Sequence, residues 1–168
     1  GLPAGLGVII LSPRAMEKAI DLHEKGINIG SYHNFPILLH YAEKNQTHET
    51  PPVLHMYLLG KVLEDMLHAG IETIRGQTDA KAKVLYDFFE NHPRWSIFVK
   101  EKKLQSPTVV TINTGNETAK LKSYLTKKGY IVGGGYGIHN ETQIRIANFP
   151  THKMEQVKKL LKAFEEFS

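Results

Sequence analysis

The chain has 168 residues, of which 41% are hydrophobic and 23% charged, with a formal net charge of +4 and no cysteine. That composition suits one soluble globular domain, or one and a part. Basic residues are spread instead of gathered in a run, which argues against nucleic acid as main partner, and no apolar stretch nears the roughly 20 residues that span a bilayer.

The lack of cysteine removes thiol nucleophiles and thiolate metal sites and fits a reducing compartment; the expected location is cytoplasmic, and without a bilayer-length apolar segment no membrane partner is expected. No signal peptide is visible. Gly1 to Gly7 read as the middle of something longer, so a partial chain is expected.

Leu6 to Leu11 is a continuous apolar run, the pattern of a strand buried on both faces inside a larger sheet. Pro13 opens a predicted helix to about Lys25, with Gly26 as its stop. Phe35 to His40 reads as a short strand, and Tyr41 to Glu49 as a polar loop. Thr50 and Pro51 then take the roles of N-cap and first residue of a helix to His68, ended by Gly70, whose positive end can face an anion. A longer helix follows, with Ile74, Ala82, Leu85 and Phe89 to one side, until Asn91, His92 and Pro93 break it.

Beyond Pro93 the periodicity changes. Trp95 to Val99 and Thr108 to Ile112 are β-rich and predict an antiparallel pair. Asn116 is read as the cap of a helix carrying Leu121, Tyr124 and Leu125, with Gly129 as its left-handed terminator. Gln143 to Ala147 alternates like a strand, and Thr151 caps a last helix presenting Met154, Val157, Leu160, Leu161 and Phe164 inward. A small sheet with helices on one face is the economical arrangement. The boundary is placed near Pro93, giving segments 1–92 and 93–168.

Arg145 lies inside that last strand, its apolar neighbours facing the other way. A guanidinium there needs a partner, either an internal carboxylate or the carboxylate of a bound substrate. The glycine-rich loop from Gly133 to Gly137 permits unusual backbone angles or a close ligand approach, but a strand follows it, so it is not a dinucleotide or phosphate-binding loop. His139 and Asn140 beyond it are either a solvated pair or contacts to an anionic substrate. The nine histidines show no metal-ligand spacing and no nucleophile motif is present, so neither a metal nor a catalytic residue is assigned.

In order along the chain, four features resemble the C-terminal portion of class V pyridoxal-phosphate aminotransferases, with phosphoserine aminotransferases as the nearest members. They are Gly1 to Val8, the Thr50-Pro51-Pro52 helix start followed by Tyr57 to Gly60, the stretch Gly70 to Tyr86, and Gln143 to Ala147. The resemblance implies an α/β (α+β) fold: the C-terminal small domain of a fold-type-I transferase, with a small antiparallel sheet, plus a helical segment and one strand left from the large domain.

It also implies that the lysine that carries the cofactor lies just upstream of Gly1, so this chain alone should not transaminate. Thr50, with Glu49 where relatives often have Asn, would reach the phosphate of pyridoxal 5'-phosphate on the neighbouring subunit of a homodimer. Glu49 is unfavourable beside phosphate unless turned away or paired. Arg145 matches the arginine that holds the α-carboxylate of the amino acid. His139 falls near the histidine–arginine pair for a substrate phosphate, with Asn140 in the arginine's place, which leaves phosphoserine, alanine, serine and other small amino donors open. With no cysteine, the related desulfurase branch is disfavoured.

The implied reaction moves an amino group from a small amino acid to a 2-oxo acid. The alternative is a non-catalytic small-molecule-binding or dimerisation module, which predicts little exposed apolar surface.

Overall fold

A computed structural model describes residues 2–27, 30 and 32–167. The chain forms two compact units, Gly1–Asp65 and Met66–Ser168.

The first unit contains α1 (Pro13–Glu24) and α2 (Phe35–Ala42), and the division from the second falls within α3 (Val53–Ala69). Helix α1 follows its sequence signals: Pro13 is the first helical residue, Gly26 sits at φ 66° beyond the end, and the Ser12 hydroxyl accepts from the amide of Ala15 at 3.2 Å. Helix α2 replaces the strand expected over Phe35 to His40. A short apolar run has no decisive period, and the cap decides it: the Asn34 side-chain oxygen accepts from the Ile37 amide at 3.2 Å, with Pro36 in the first turn.

Leu6 to Leu11 forms no strand here, correcting that expectation. Val8, Ile9 and Ile10 are exposed, the last at 93%. A strand needs a neighbour for its amides and carbonyls, and this segment pairs with no strand among the described residues. Its preceding turn is held instead by His55, whose Nε2 lies 3.0 Å from the Ala4 carbonyl. Gly5, at φ 125°, lies close against the same ring.

Helix α3 starts later than expected. Pro52, not Thr50, supplies the first capping carbonyl, accepting from the Met56 amide at 3.0 Å. The reason lies in the prolines: a residue before proline is kept out of the helical region, so neither Thr50 nor Pro51 enters the helix.

The second unit holds α4 (Ile71–Glu90), β1 (Ser96–Ile97), β2 (Val109–Asn113), α5 (Thr118–Lys127), β3 (Gly133–Gly134), β4 (Gln143–Ala147) and α6 (Met154–Glu165). The four strands make one antiparallel sheet in the order β1-β2-β4-β3. Its inner face, Ile97, Val110, Ile112, Ile144 and Ile146, joins Leu85 and Phe89 of α4, Leu121 and Leu125 of α5, and the apolar side of α6 in one core. The expected antiparallel pair is thus observed, and Val157, Leu160, Leu161 and Phe164 of the last helix face inward as expected, while Met154 is not part of this core. β3 was not anticipated, since two glycines carry no side-chain pattern to read.

Two caps shift. A 3-10 turn over Gly115–Glu117 precedes α5, so Asn116 is no cap, and the Thr118 hydroxyl instead donates to the Gly115 carbonyl at 2.8 Å. Lys153, not Thr151, caps α6, its amide donating to the Gln156 side chain at 2.7 Å. Gly129 ends α5 at φ 88°, as expected. The Pro93 region marks the change from helix to sheet, while α4 belongs with the sheet because it buries Leu85 and Phe89 in that core.

Candidate functional site

The outer face of the sheet follows from strand alternation. Because Ile144 and Ile146 point into the core, Gln143 and Arg145 point away from it. Register then places Thr111 opposite Arg145, and Gly133 on Arg145's other side. One residue past β1, the Phe98 amide donates to the Thr111 carbonyl at 3.0 Å, extending this row to the edge. A neighbouring row is polar and internally bonded: Gln143 Nε2 donates to Asn113 Oδ1 at 2.9 Å, and Asn113 Nδ2 to Ser96 Oγ at 3.3 Å.

Arg145 is held on three sides. Its Nε donates to the Gly134 carbonyl at 2.6 Å. Its guanidinium carbon lies 3.8 Å from the ring centroid of Tyr136. A Cβ on Gly133 would come within 3.1 Å of Nη2, so the glycine gives the guanidinium its room. Nη1 and Nη2 have no hydrogen-bond or ion-pair partner among the described residues. The internal carboxylate considered from sequence is therefore not what holds this side chain.

The loop between β3 and β4 brings His139 to Phe98, with ring centroids 5.4 Å apart. Gly135 allows this, because a Cβ there would lie 2.3 Å from the His139 carbonyl oxygen. At Gly134 the nearest obstacle is Asn140 Oδ1, at 2.7 Å. The space left by these glycines is filled by the protein's own loop, not reserved for a ligand.

Thr50 and Glu49 lie in the first unit, beside a cleft of about 490 Å³ lined in part by Gly5, Tyr32, His48, Glu49, Thr50 and Pro52. Thr50 is exposed. The amides of Leu54 and His55, in the first turn of α3, have no acceptor among the described residues. His48 Nδ1 is buried, has no hydrogen bond among the described residues and stands 3.7 Å from Glu49 Oε1. Free amides at a helix start and an exposed hydroxyl are groups that fit a phosphate, and His48 Nδ1, when protonated, is placed to pair with the Glu49 carboxylate.

Arg145 and His139 thus fall on one face of the second unit, and Thr50 and Glu49 on one corner of the first. Tyr136 and Phe98 had no place among the expectations from sequence. Alternation placed Phe98 on the outer side of its strand, a signal that was present; nothing in the sequence marked Tyr136. Among the described residues there is no cluster of three or more metal-binding side chains, and no helix long and apolar enough to cross a membrane.

A model of the class-V aminotransferase family matches residues 2–163. The chain belongs to this family. Among solved structures, a phosphoserine aminotransferase from Cytophaga hutchinsonii is 44% identical, with a TM-score of 0.91 over 99% of this chain and 46% of its own. An alanine–glyoxylate aminotransferase from Nostoc sp. shares the fold at 24% identity, with a TM-score of 0.75 over 93% of this chain and 42% of its own. A curated relative from Nocardioides sp., named phosphoserine aminotransferase, is 26% identical over 96% of this chain and 44% of its own length. The chain therefore spans less than half the length of the curated relatives it matches. The resemblance seen in the motifs is that of the family, and the small antiparallel sheet with helices on one face is the fold expected from it.

Proposed function

We propose that these 168 residues are the C-terminal part of a pyridoxal-phosphate-dependent aminotransferase, moving an amino group from a small amino acid, phosphoserine among the candidates, to a 2-oxo acid. The observation that carries the reading is the Arg145 guanidinium, anchored through Nε with both Nη groups unpartnered among the described residues. A cation so fixed matches the two oxygens of a substrate α-carboxylate. His139, on the same face, would contact the rest of the substrate. With Asn140 where a second fixed charge would stand, a phosphate on the substrate has less to hold it.

Thr50, with Glu49 and the first amides of α3, would meet the cofactor phosphate of a neighbouring subunit in a homodimer. When bound, pyridoxal 5'-phosphate supplies the electron-withdrawing ring that lets an amino acid's Cα–H bond break. The lysine that carries it would lie on sequence outside these residues, so this chain alone would be inactive. Its own work is to bind and orient.

Exposed apolar side chains of the first unit, including Val8, Ile9, Ile10, Val53, Leu54 and Tyr57, support a part of a larger enzyme over a self-contained binding module.

The test is Arg145→Ala in the full-length protein, assayed over a panel of amino donors. The KM of the productive donor should rise about ten- to a hundredfold, the usual worth of a charge-assisted pair. An unchanged KM would remove Arg145 from the site.

A further inference from the structure

We infer that Tyr136 is a positioning residue for substrate binding, a planar rest that fixes the Arg145 guanidinium so that it accepts a carboxylate end-on. The inference rests on the reading of Arg145 as the carboxylate anchor. Three observations carry it. Tyr136 is 75% exposed, so burial in the core does not explain its place. Its ring centroid is 3.8 Å from the guanidinium carbon, the distance of stacking on the ring face. The backbone on both sides of it is tied: the Gly135 amide donates to the Gln143 carbonyl at 3.0 Å, and the His139 amide to the Tyr136 carbonyl at 3.0 Å.

The geometry has a consequence for the ligand. Nε is already used by the Gly134 carbonyl, so a carboxylate cannot take the side of the guanidinium that includes Nε. One face of the plane is covered by Tyr136. What remains is the Nη1–Nη2 edge, where a carboxylate in the guanidinium plane makes two parallel bonds. Stacking removes rotamer freedom from Arg145 before the ligand arrives, and preorganisation of this kind raises affinity.

The experiment measures binding of maleate, a planar dicarboxylate with no amino group to react, to the cofactor-loaded full-length enzyme by titration calorimetry. Tyr136→Leu should weaken maleate about fivefold, the scale of an exposed cation–π contact, while Tyr136→Phe, which keeps the ring face, binds like the parent. In an Arg145→Ala background, Tyr136→Leu should change nothing further. Equal losses in the Phe and Leu variants, or no loss in Leu while Arg145→Ala weakens binding, would overturn the role of Tyr136 and leave Arg145 in place. If Arg145→Ala binds maleate as well as the parent, or the parent does not bind it, the anchor reading falls first and this inference with it. Unchanged thermal midpoints in Tyr136→Leu would show that the exposed ring is not a folding determinant; a large drop would count against the positioning role.

Discussion

The indole N–H of Trp95 donates to Glu117 Oε2 at 2.7 Å, while the other carboxylate oxygen of Glu117 pairs with Arg94. Arg94 also reaches the Phe167 carbonyl at 2.8 Å, so one guanidinium ties the segment before β1 both to Glu117, beside the start of α5, and to the residues after α6. The hydrogen bond from Arg94, then that from Trp95, holds the Glu117 carboxyl below its ordinary range. A lowered pKa in the folded state means that the unfolded chain takes up the proton first. The stabilisation is therefore complete above the ordinary carboxylate range and lost as pH falls through the lowered value. Glu117→Gln should be less stable at neutral pH and lose less stability on acidification than the parent, read from urea midpoints between neutral and acid pH. Parallel acid limbs would contradict this, and Glu155 and Glu166, lowered by their lysine partners, cancel in the comparison.

Two of the three glycines before Tyr136, Gly133 and Gly135, should differ sharply when replaced by alanine. Gly135→Ala places a methyl on the His139 carbonyl, and backbone must move, at a cost of about 1–3 kcal/mol. Gly133→Ala meets only the far end of Arg145. It should leave the denaturation midpoint nearly unchanged and weaken carboxylate binding. Chemical denaturation and ligand titration of both variants separate the two effects.

Lys81 is 3% exposed, and its ammonium donates to the carbonyls of Phe149, at 2.9 Å, and His152, at 2.7 Å. It pins the segment after β4 onto α4. Lys81→Met fills similar space but strips both carbonyls of their donor, so stability should fall by about 1–3 kcal/mol, measured by urea unfolding.

Glu49 places a carboxylate at the corner proposed for the cofactor phosphate, with His48 Nδ1 3.7 Å away. Like charges at short range repel even near water. Glu49→Gln in the full-length enzyme should hold pyridoxal phosphate more tightly, and Thr50→Val less tightly, in equilibrium dialysis. Equal retention in all three proteins would remove this corner from the cofactor site.

Much of this arrangement was legible without coordinates. Gly26 and Gly129 announce the ends of α1 and α5 because positive φ suits glycine. Ile144, Arg145 and Ile146 announce a strand with one charged face because side chains alternate at every residue. Other features had no local signal. Phe35 to His40 is too short to show a period, β3 is two glycines, and Thr50 lost its capping role to the steric demand of paired prolines.

The order of residues by itself determined the family, the period of the long helices, and that Arg145 must leave the core, since these depend on neighbours a few positions apart. Tertiary structure alone decided that Tyr136 lies on that guanidinium, that Gly134 occupies its Nε, and that no carboxylate among the described residues claims its Nη groups. Such contacts join separate strands and a loop, so they exist only once hydrogen-bond register has brought those backbones side by side.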